Sequence, residues 1–257
     1  MRLIRFQAGD NPAFGLVEDG SVRTLSDSPF SAVNPTGSSY PLSDVKLLAP
    51  CLPSKIFALA YNYKSHLGGA EPPKEPQIFL KVPSSVIGPG DAIVLPRGEP
   101  LHSSTAPGRV DEEAELVVVI GRRCRNVGRE DALGYVFGYT CGNDVSARAW
   151  QKKDLSWWRA KSSDTFAPIG PAIVTDFDGA NALITARING REVQRCMTED
   201  LFFDIPALIE WISASVTLEP GDLIFTGTAG SPAELHPGDV VEVEIEGIGV
   251  LSNPVVG

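Results

Sequence analysis

Hydrophobic positions along this chain fall mostly in short bursts, and only one stretch repeats at helical spacing. The segments RLIRFQAG, AFGLVEDG and SVRTLSD near the start are each closed by Gly, Asn, Asp or Ser, the pattern of short strands joined by turns. QIFLKVPSSVIGPGDAIVLP continues in strands and turns. VVEVEIEGI alternates strictly, which predicts a strand with one dry and one wet face. TEDLFFDIPALIEWISASVTL carries apolar residues at helical spacing and predicts an amphipathic helix stopped by LEPGD. GREDALGYVFGYTCGNDVSARAWQKK predicts a helix start, a strand and a second helix start. GGAEPPKEP (68–76) has no periodicity and many breakers, so it reads as a mobile loop.

Short strands outnumber helices, so the expected class is α+β and β-rich, with few helices. A small β-rich N-terminal lobe is expected over 1–48 and a catalytic domain over 49–257. Composition adds little to this: 257 residues with 43% hydrophobic content suit a soluble globular protein with a real core. No apolar run spans a membrane and the start is not a signal peptide, so a cytoplasmic location is expected. The four cysteines are scattered, which favours free buried thiols over a zinc cage or redox pair. The net charge of −10 makes nucleic acid and anionic membranes poor partners.

One burst breaks the pattern. VDEEAELVVVIG (110–121) sets four acids against strand-forming apolar residues. Glu113 and Glu115 are two apart and share a face of a strand. Side by side they repel, and a divalent cation between them would remove that cost. An all-oxygen donor set suits a hard ion such as Mg²⁺, Mn²⁺ or Ca²⁺. The alternative is an acidic strand end facing water. Asp144, after the strand in GYTCGNDVSARAWQ, is either a helix N-cap or a third ligand.

These blocks, with WWRAKSSDTFAPIGPAIVT and TLEPGDLIFTGTAG…HPGDVVEVEIEGIGVLSNPV, resemble the fumarylacetoacetate hydrolase family in order and spacing from about residue 50 onward. The resemblance implies a twisted β-roll or β-sandwich catalytic fold, a homodimer, and Mg²⁺ or Mn²⁺ held by Glu113, Glu115 and Asp144. It implies a small anionic oxo acid as substrate, bound to an acidic protein through the cation. Lys161 matches the family's active-site lysine, against the alternative of a solvated surface lysine. If a helix starts at Asp144, then Asp144, Arg148 and Gln151 line one face, which the resemblance turns toward the substrate; a local Asp–Arg pair is the alternative. Lys81 is a candidate contact for the substrate carboxylate.

ALAYNYKSHLGG resembles the family's Asn-Tyr-x-x-His segment, in which His66 would activate water with an acid behind it. In hydrolytic relatives that acid commonly follows by three residues. Here that position is Gly69, and the nearest acids are Glu71 and then Glu75, which could swing in if the 67–76 loop closes as a lid. His102 and His236 read as ordinary surface histidines. Relatives often carry Thr-Gly-Thr-Pro; this chain has TGTAGSP, so the loop beyond is reshaped, and Thr228 could still offer a hydroxyl or N–H to a carboxylate.

The expected activity is C–C bond hydrolysis of an acylpyruvate-type 2,4-dioxo acid. The alternatives are isomerisation, tautomerisation or decarboxylation of a similar oxo acid, or a non-catalytic relative that keeps the metal.

Overall fold

The computed structural model describes residues 1–9, 11–96 and 108–257. Its backbone is strands and short 3₁₀ turns, with one longer helix over Ile205–Ser215. A twelve-stranded sheet and a five-stranded sheet account for most of the strands.

The strand Ala114–Ile120 lies inside the large sheet, antiparallel to both Val136–Asn143 and Leu223–Phe225. Leu116, Val118 and Ile120 face one apolar cluster, while Val117 and Val119 face another. Both faces are dry, so the strand carries an unbroken apolar run rather than an alternating one. Leu223–Phe225 pairs in parallel with Ile56–Ala60, and Gln77–Lys81 forms that edge of the sheet. At the other end, the expected N-terminal strands form an antiparallel meander. It joins the large sheet where Arg2–Ala8 pairs with Ala167–Val174. Those first strands are thus continuous with the sheet that carries the candidate site.

In the five-stranded sheet, Val240–Ile245 buries Val241, Val243 and Ile245 and turns Glu242 and Glu244 outward, as its alternation predicts. The helix is shorter than its apolar pattern. Thr198–Asp200 is a separate 3₁₀ turn, and the helix proper begins after Asp204, whose carboxylate accepts from Ala207 N–H at 3.0 Å. It ends at Ser215, before LEPGD. Ile205, Leu208, Ile209 and Ile212 are its buried stripe.

The two helix starts expected around GREDALGY and after Asp144 become a 3₁₀ turn over Ala132–Tyr135 and a single turn over Arg148–Gln151. The cysteines are free, three of them buried. No helix among the described residues is long and apolar enough to cross a membrane.

Candidate active site

The acidic burst is not one continuous strand. Val110–Asp111 pairs with Ser146–Ala147, and the ladder resumes only at Ala114. Glu112 and Glu113 lie in the break between. Glu113 and Glu115 nevertheless converge, and strand register brings the third acid to them. Ala114 faces Asn143 and Glu115 faces Gly142, so the next residue along, Asp144, stands beside Glu113. Asp144 N–H donates to the Glu113 carbonyl at 2.8 Å, and Asn143 Oδ1 accepts from Glu113 N–H at 2.9 Å. One oxygen from each of Glu113, Glu115 and Asp144 lies within 4.8 Å of the others, and all three residues are buried. Asp144 does not cap a helix: the turn that follows begins at Arg148 with Ala147 at its cap.

Cations crowd these acids. Lys161 Nζ donates to Glu113 Oε2 at 2.7 Å and to Asp144 Oδ2 at 2.5 Å. Lys81 Nζ donates to Asp144 Oδ1 at 2.5 Å and also to the Lys161 carbonyl. Arg148 reaches Glu113 Oε1 and Asp111 Oδ2, each at 2.7 Å, and Arg109 also pairs with Asp111. Glu115 differs. Its Oε2 accepts from Gly227 N–H at 2.7 Å, no ion pair reaches it among the described residues, and its Oε1 is buried without a hydrogen-bond partner.

The electrostatics follow from this division. Burial raises Glu113's pKa, but Lys161 and Arg148 outweigh that and hold it down at about 2. Glu115 is pushed well above the carboxylate range by burial, then by Asp144 and Glu113. Burial lowers Lys81, with Asp144 opposing. At Lys161 burial also acts downward, but Asp144 and Glu113 win and raise it. A hard divalent cation fits this donor set. The acids are all-oxygen ligands, and the orphaned Glu115 Oε1 needs a positive partner.

Above the acids is a tight cavity of about 20 Å³ lined by Tyr61, His66, Glu113, Gln151, Trp157, Lys161 and Thr228. Larger grooves occur elsewhere, one of them around Tyr139, Phe177 and Ile205, but they do not include the buried carboxylates. Of the residues singled out in the sequence, His66, Lys161, Gln151 and Thr228 reach this cavity. Arg148 stands one turn behind, donating to Gln151 Oε1 at 2.9 Å.

Three residues are placed differently from expectation. Lys81 is fully buried, and its ammonium group is taken up by Asp144 and a backbone carbonyl; it braces a carboxylate rather than facing the cavity. Thr228 spends its hydroxyl proton on the Ala114 carbonyl at 3.1 Å and accepts from Gln194, so its side chain buttresses the wall. Glu71 is exposed on a separate groove with Lys64, Leu67 and Phe202. Among the described residues no hydrogen bond or ion pair joins it to His66. Gly69 has φ +94°, a conformation that L side chains rarely adopt, so that position differs in backbone as well as side chain. His236 is exposed beside Glu234 and Asp239, and His102 lies outside the described residues.

Two contributors went unread in the sequence. Asn62, buried, donates to the carbonyls of Phe203 and Thr226 and accepts from Phe203 N–H. It fastens the His66 turn to the strand end that carries Gly227. Tyr61 holds φ +60° at the cavity mouth, a strained setting for an aromatic residue. The Asn-Tyr pair is visible in the sequence, but what an Asn clamps is set by segments about 140–165 residues away.

Glu112 gives a pH-dependent prediction. It is buried, accepts from Ala233 N–H at 3.0 Å, and is raised to about 7, chiefly by burial. A folded pKa above the unfolded 4.5 means its stability contribution is complete below about pH 4.5 and is lost as pH rises through about 7. Glu112→Gln should therefore gain on the native protein between about pH 5 and pH 8, by up to roughly 3 kcal/mol. Parallel thermal melts at the two pH values measure this; an equal Tm difference at both would refute it.

The family model described as fumarylacetoacetate (FAA) hydrolase C-terminal matches residues 55–256. The chain belongs to the fumarylacetoacetate hydrolase family. A second model, Rv2993c-like N-terminal, matches residues 1–50. The solved 5-carboxymethyl-2-hydroxymuconate delta-isomerase of Mycobacterium smegmatis is 45% identical over 100% of this chain and 99% of its own, with a TM-score of 0.91. The mitochondrial oxaloacetate tautomerase fahd2 of Xenopus laevis is 38% identical over 100% of this chain and 90% of its own. Maleylpyruvate hydrolase of a Sphingobium species, solved with manganese(II) and pyruvate, is 32% identical over 100% and 99%, with a TM-score of 0.81. Isomerases, a tautomerase and a hydrolase thus share this fold.

Proposed function

We propose that this chain is a divalent-metal-dependent enzyme that interconverts keto and enol forms of a small 2-oxo carboxylic acid. Hydrolytic C–C cleavage of an acylpyruvate is the less favoured reaction. The observation that carries the reading is the buried Glu113–Glu115–Asp144 cluster, ringed by Lys81, Lys161 and Arg148, under a cavity that also contains His66. An oxaloacetate tautomerase and a hydroxymuconate isomerase among its relatives support it.

Charge arithmetic supports an anionic oxo acid. Asp111, Glu113 and Asp144 pair with Lys81, Arg109, Arg148 and Lys161, and Glu115, once ionised, brings the acids to the same number. That cluster is formally balanced. A divalent cation and a dianionic oxo acid or enolate then enter as a neutral pair, which a cation or a dianion alone would not. Glu113, Glu115 and Asp144 would hold Mg²⁺ or Mn²⁺, which when bound supplies Lewis-acid stabilisation of enolate charge.

The rest falls to the chain. Lys161, at the cavity floor, places a fixed positive charge where negative charge develops. Gln151, held by Arg148, offers a polar contact to the substrate. His66 moves the proton. Hydrolysis would further require a water-activating dyad, and among the described residues no carboxylate contacts His66. The partners expected are thus the oxo acid and, from the resemblance, a second copy of this chain.

The test follows the enol absorbance of oxaloacetate, and separately the loss of acetylpyruvate, with and without EDTA. We expect a fast, EDTA-sensitive keto–enol conversion of oxaloacetate and little pyruvate released from acetylpyruvate. Metal-independent rates on both would refute the reading. Rapid acetylpyruvate cleavage would restore hydrolysis as the main reaction.

A further inference from the structure

Among the described residues no carboxylate hydrogen-bonds to His66 or pairs with it within 4 Å, although Glu113 lies near enough to feel its charge, and the ring contact is to a carbonyl. His66 Nδ1 lies 2.8 Å from the carbonyl oxygen of Gly230. A carbonyl oxygen can only accept, so a neutral ring must place its proton on Nδ1 to make this bond. Nε2 is then left as the lone-pair nitrogen of a side chain that lines the cavity. Gly230 is itself held at its other backbone group, where its N–H donates to Ser65 Oγ at 3.0 Å. Ser65 and His66 are neighbours in the 3₁₀ turn Lys64–His66, so two adjacent residues hold the N–H and the carbonyl of one glycine, groups of two successive peptide units. Gly230 has φ +62° with open space around it, so glycine is there for its backbone conformation. Ala229 is anchored by Gln194 Nε2 at 2.6 Å, and Ala233 by Glu112. The loop that presents the carbonyl is therefore fastened on both sides.

We infer that the Gly230 carbonyl, on a residue whose N–H Ser65 holds, replaces the acid of a histidine–carboxylate pair and holds His66 as the Nδ1–H tautomer with Nε2 as proton acceptor. Ser65 is thereby a positioning residue for His66. The inference deepens the proton-shift reading above and, for its kinetic part, rests on it. A carboxylate behind an imidazole both orients it and stabilises its cation; a carbonyl orients it and stabilises the cation far less. Such a histidine takes a proton and gives it back. In keto-to-enol conversion, C3–H breaks, the proton passes to Nε2, the C–H electron pair forms the C2=C3 double bond, and the carbonyl π pair moves onto the keto oxygen. The same proton is then returned to that oxygen. No water, oxidant or second substrate is consumed.

The experiment has two arms. In the first, metal-free protein labelled with ¹⁵N-histidine is studied near pH 8.5 by two-bond ¹H–¹⁵N correlation, with His66 identified by the signal lost in His66→Gln. We expect the Nδ1–H tautomer, and in Ser65→Ala a mixture with Nε2–H. A native His66 protonated on Nε2 would overturn the proposal. Free imidazole-like averaging in the native protein would do the same. This arm needs no turnover, so it decides the tautomer even if oxo-acid chemistry fails. In the second arm, Ser65→Ala should lower kcat for oxaloacetate enolisation about tenfold with KM unchanged, and Ser65→Thr should retain the native rate. Ser65 is exposed, so neither change removes core packing. An unchanged kcat in Ser65→Ala, or an equal loss in Ser65→Thr, would count against the lock.

Discussion

Glu115→Gln is expected to abolish divalent-cation binding and to make the metal-free protein more stable. Both outcomes come from one asymmetry. Glu113 and Asp144 are neutralised by Lys161, Lys81 and Arg148, whereas Glu115 has a single backbone N–H and a buried, unpartnered oxygen. Its pKa is raised by burial, then by Asp144 and Glu113. A group whose folded pKa exceeds its unfolded value favours folding fully only below that unfolded value, and the contribution fades as pH rises. Glutamine removes the burden and can still accept from Gly227. The gain should be on the order of 1–3 kcal/mol near neutrality and smaller in acid. The loss in Mg²⁺ or Mn²⁺ affinity should exceed about 100-fold, since even residues behind a metal ligand cost 10–100-fold when changed. Titration calorimetry and melts across pH measure both; undiminished cation affinity would remove Glu115 from the ligand set. Because ligands must be deprotonated, native affinity should also rise with pH.

Lys161→Met should have the opposite effect on the fold. It withdraws a buried ammonium from between Glu113 and Asp144 and leaves two carboxylates short of positive charge. Breaking a buried pair from one side costs about 3–5 kcal/mol. Activity should fall about 100- to 1,000-fold through lost stabilisation of developing negative charge. The variant should also regain more of its Tm from added Mg²⁺ than the native protein does, because the ion supplies the missing charge. A Tm indifferent to the substitution would mean that Lys161 is not an integral counter-charge.

Much of the site was legible because local spacing encodes it. Glu113 and Glu115 are two apart, and register adds Asp144 directly after the facing strand. The apolar run Leu116–Ile120 announced a buried strand, and VVEVEI announced one with a single dry face. What could not be read was set by distance. Lys81 looked like a substrate contact because nothing local shows that Asp144, 63 residues on, receives its ammonium. Glu71 looked like the partner of His66 because sequence proximity favoured it, yet the contact comes from a carbonyl 164 residues away. A backbone acceptor has no side-chain signature, so no motif would have revealed it. The helix boundaries failed locally: Asp204 and Pro206 mark the true start, but the apolar pattern upstream extended the prediction. The structure also changes the puzzle of the acids beside the core. Lysines and arginines meet the charge of Asp111, Glu113 and Asp144, burial raises the pKa of Glu112, and Glu115 is the cluster member left to a guest.

The hydrogen bond from Gly227 to Glu115 spans 112 residues. Lys81, Glu113, Asp144 and Lys161 are likewise brought together only by long-range pairing. No fragment of the nascent chain that ends before Gly227 contains a finished cation site. Capture of an ion there would therefore be a late event in folding, after the central strands have closed their topology. Once made, it draws on every segment it joins and shifts the folding equilibrium by mass action. In a cell, the supply of the ion would govern how long this protein survives as well as how fast it works.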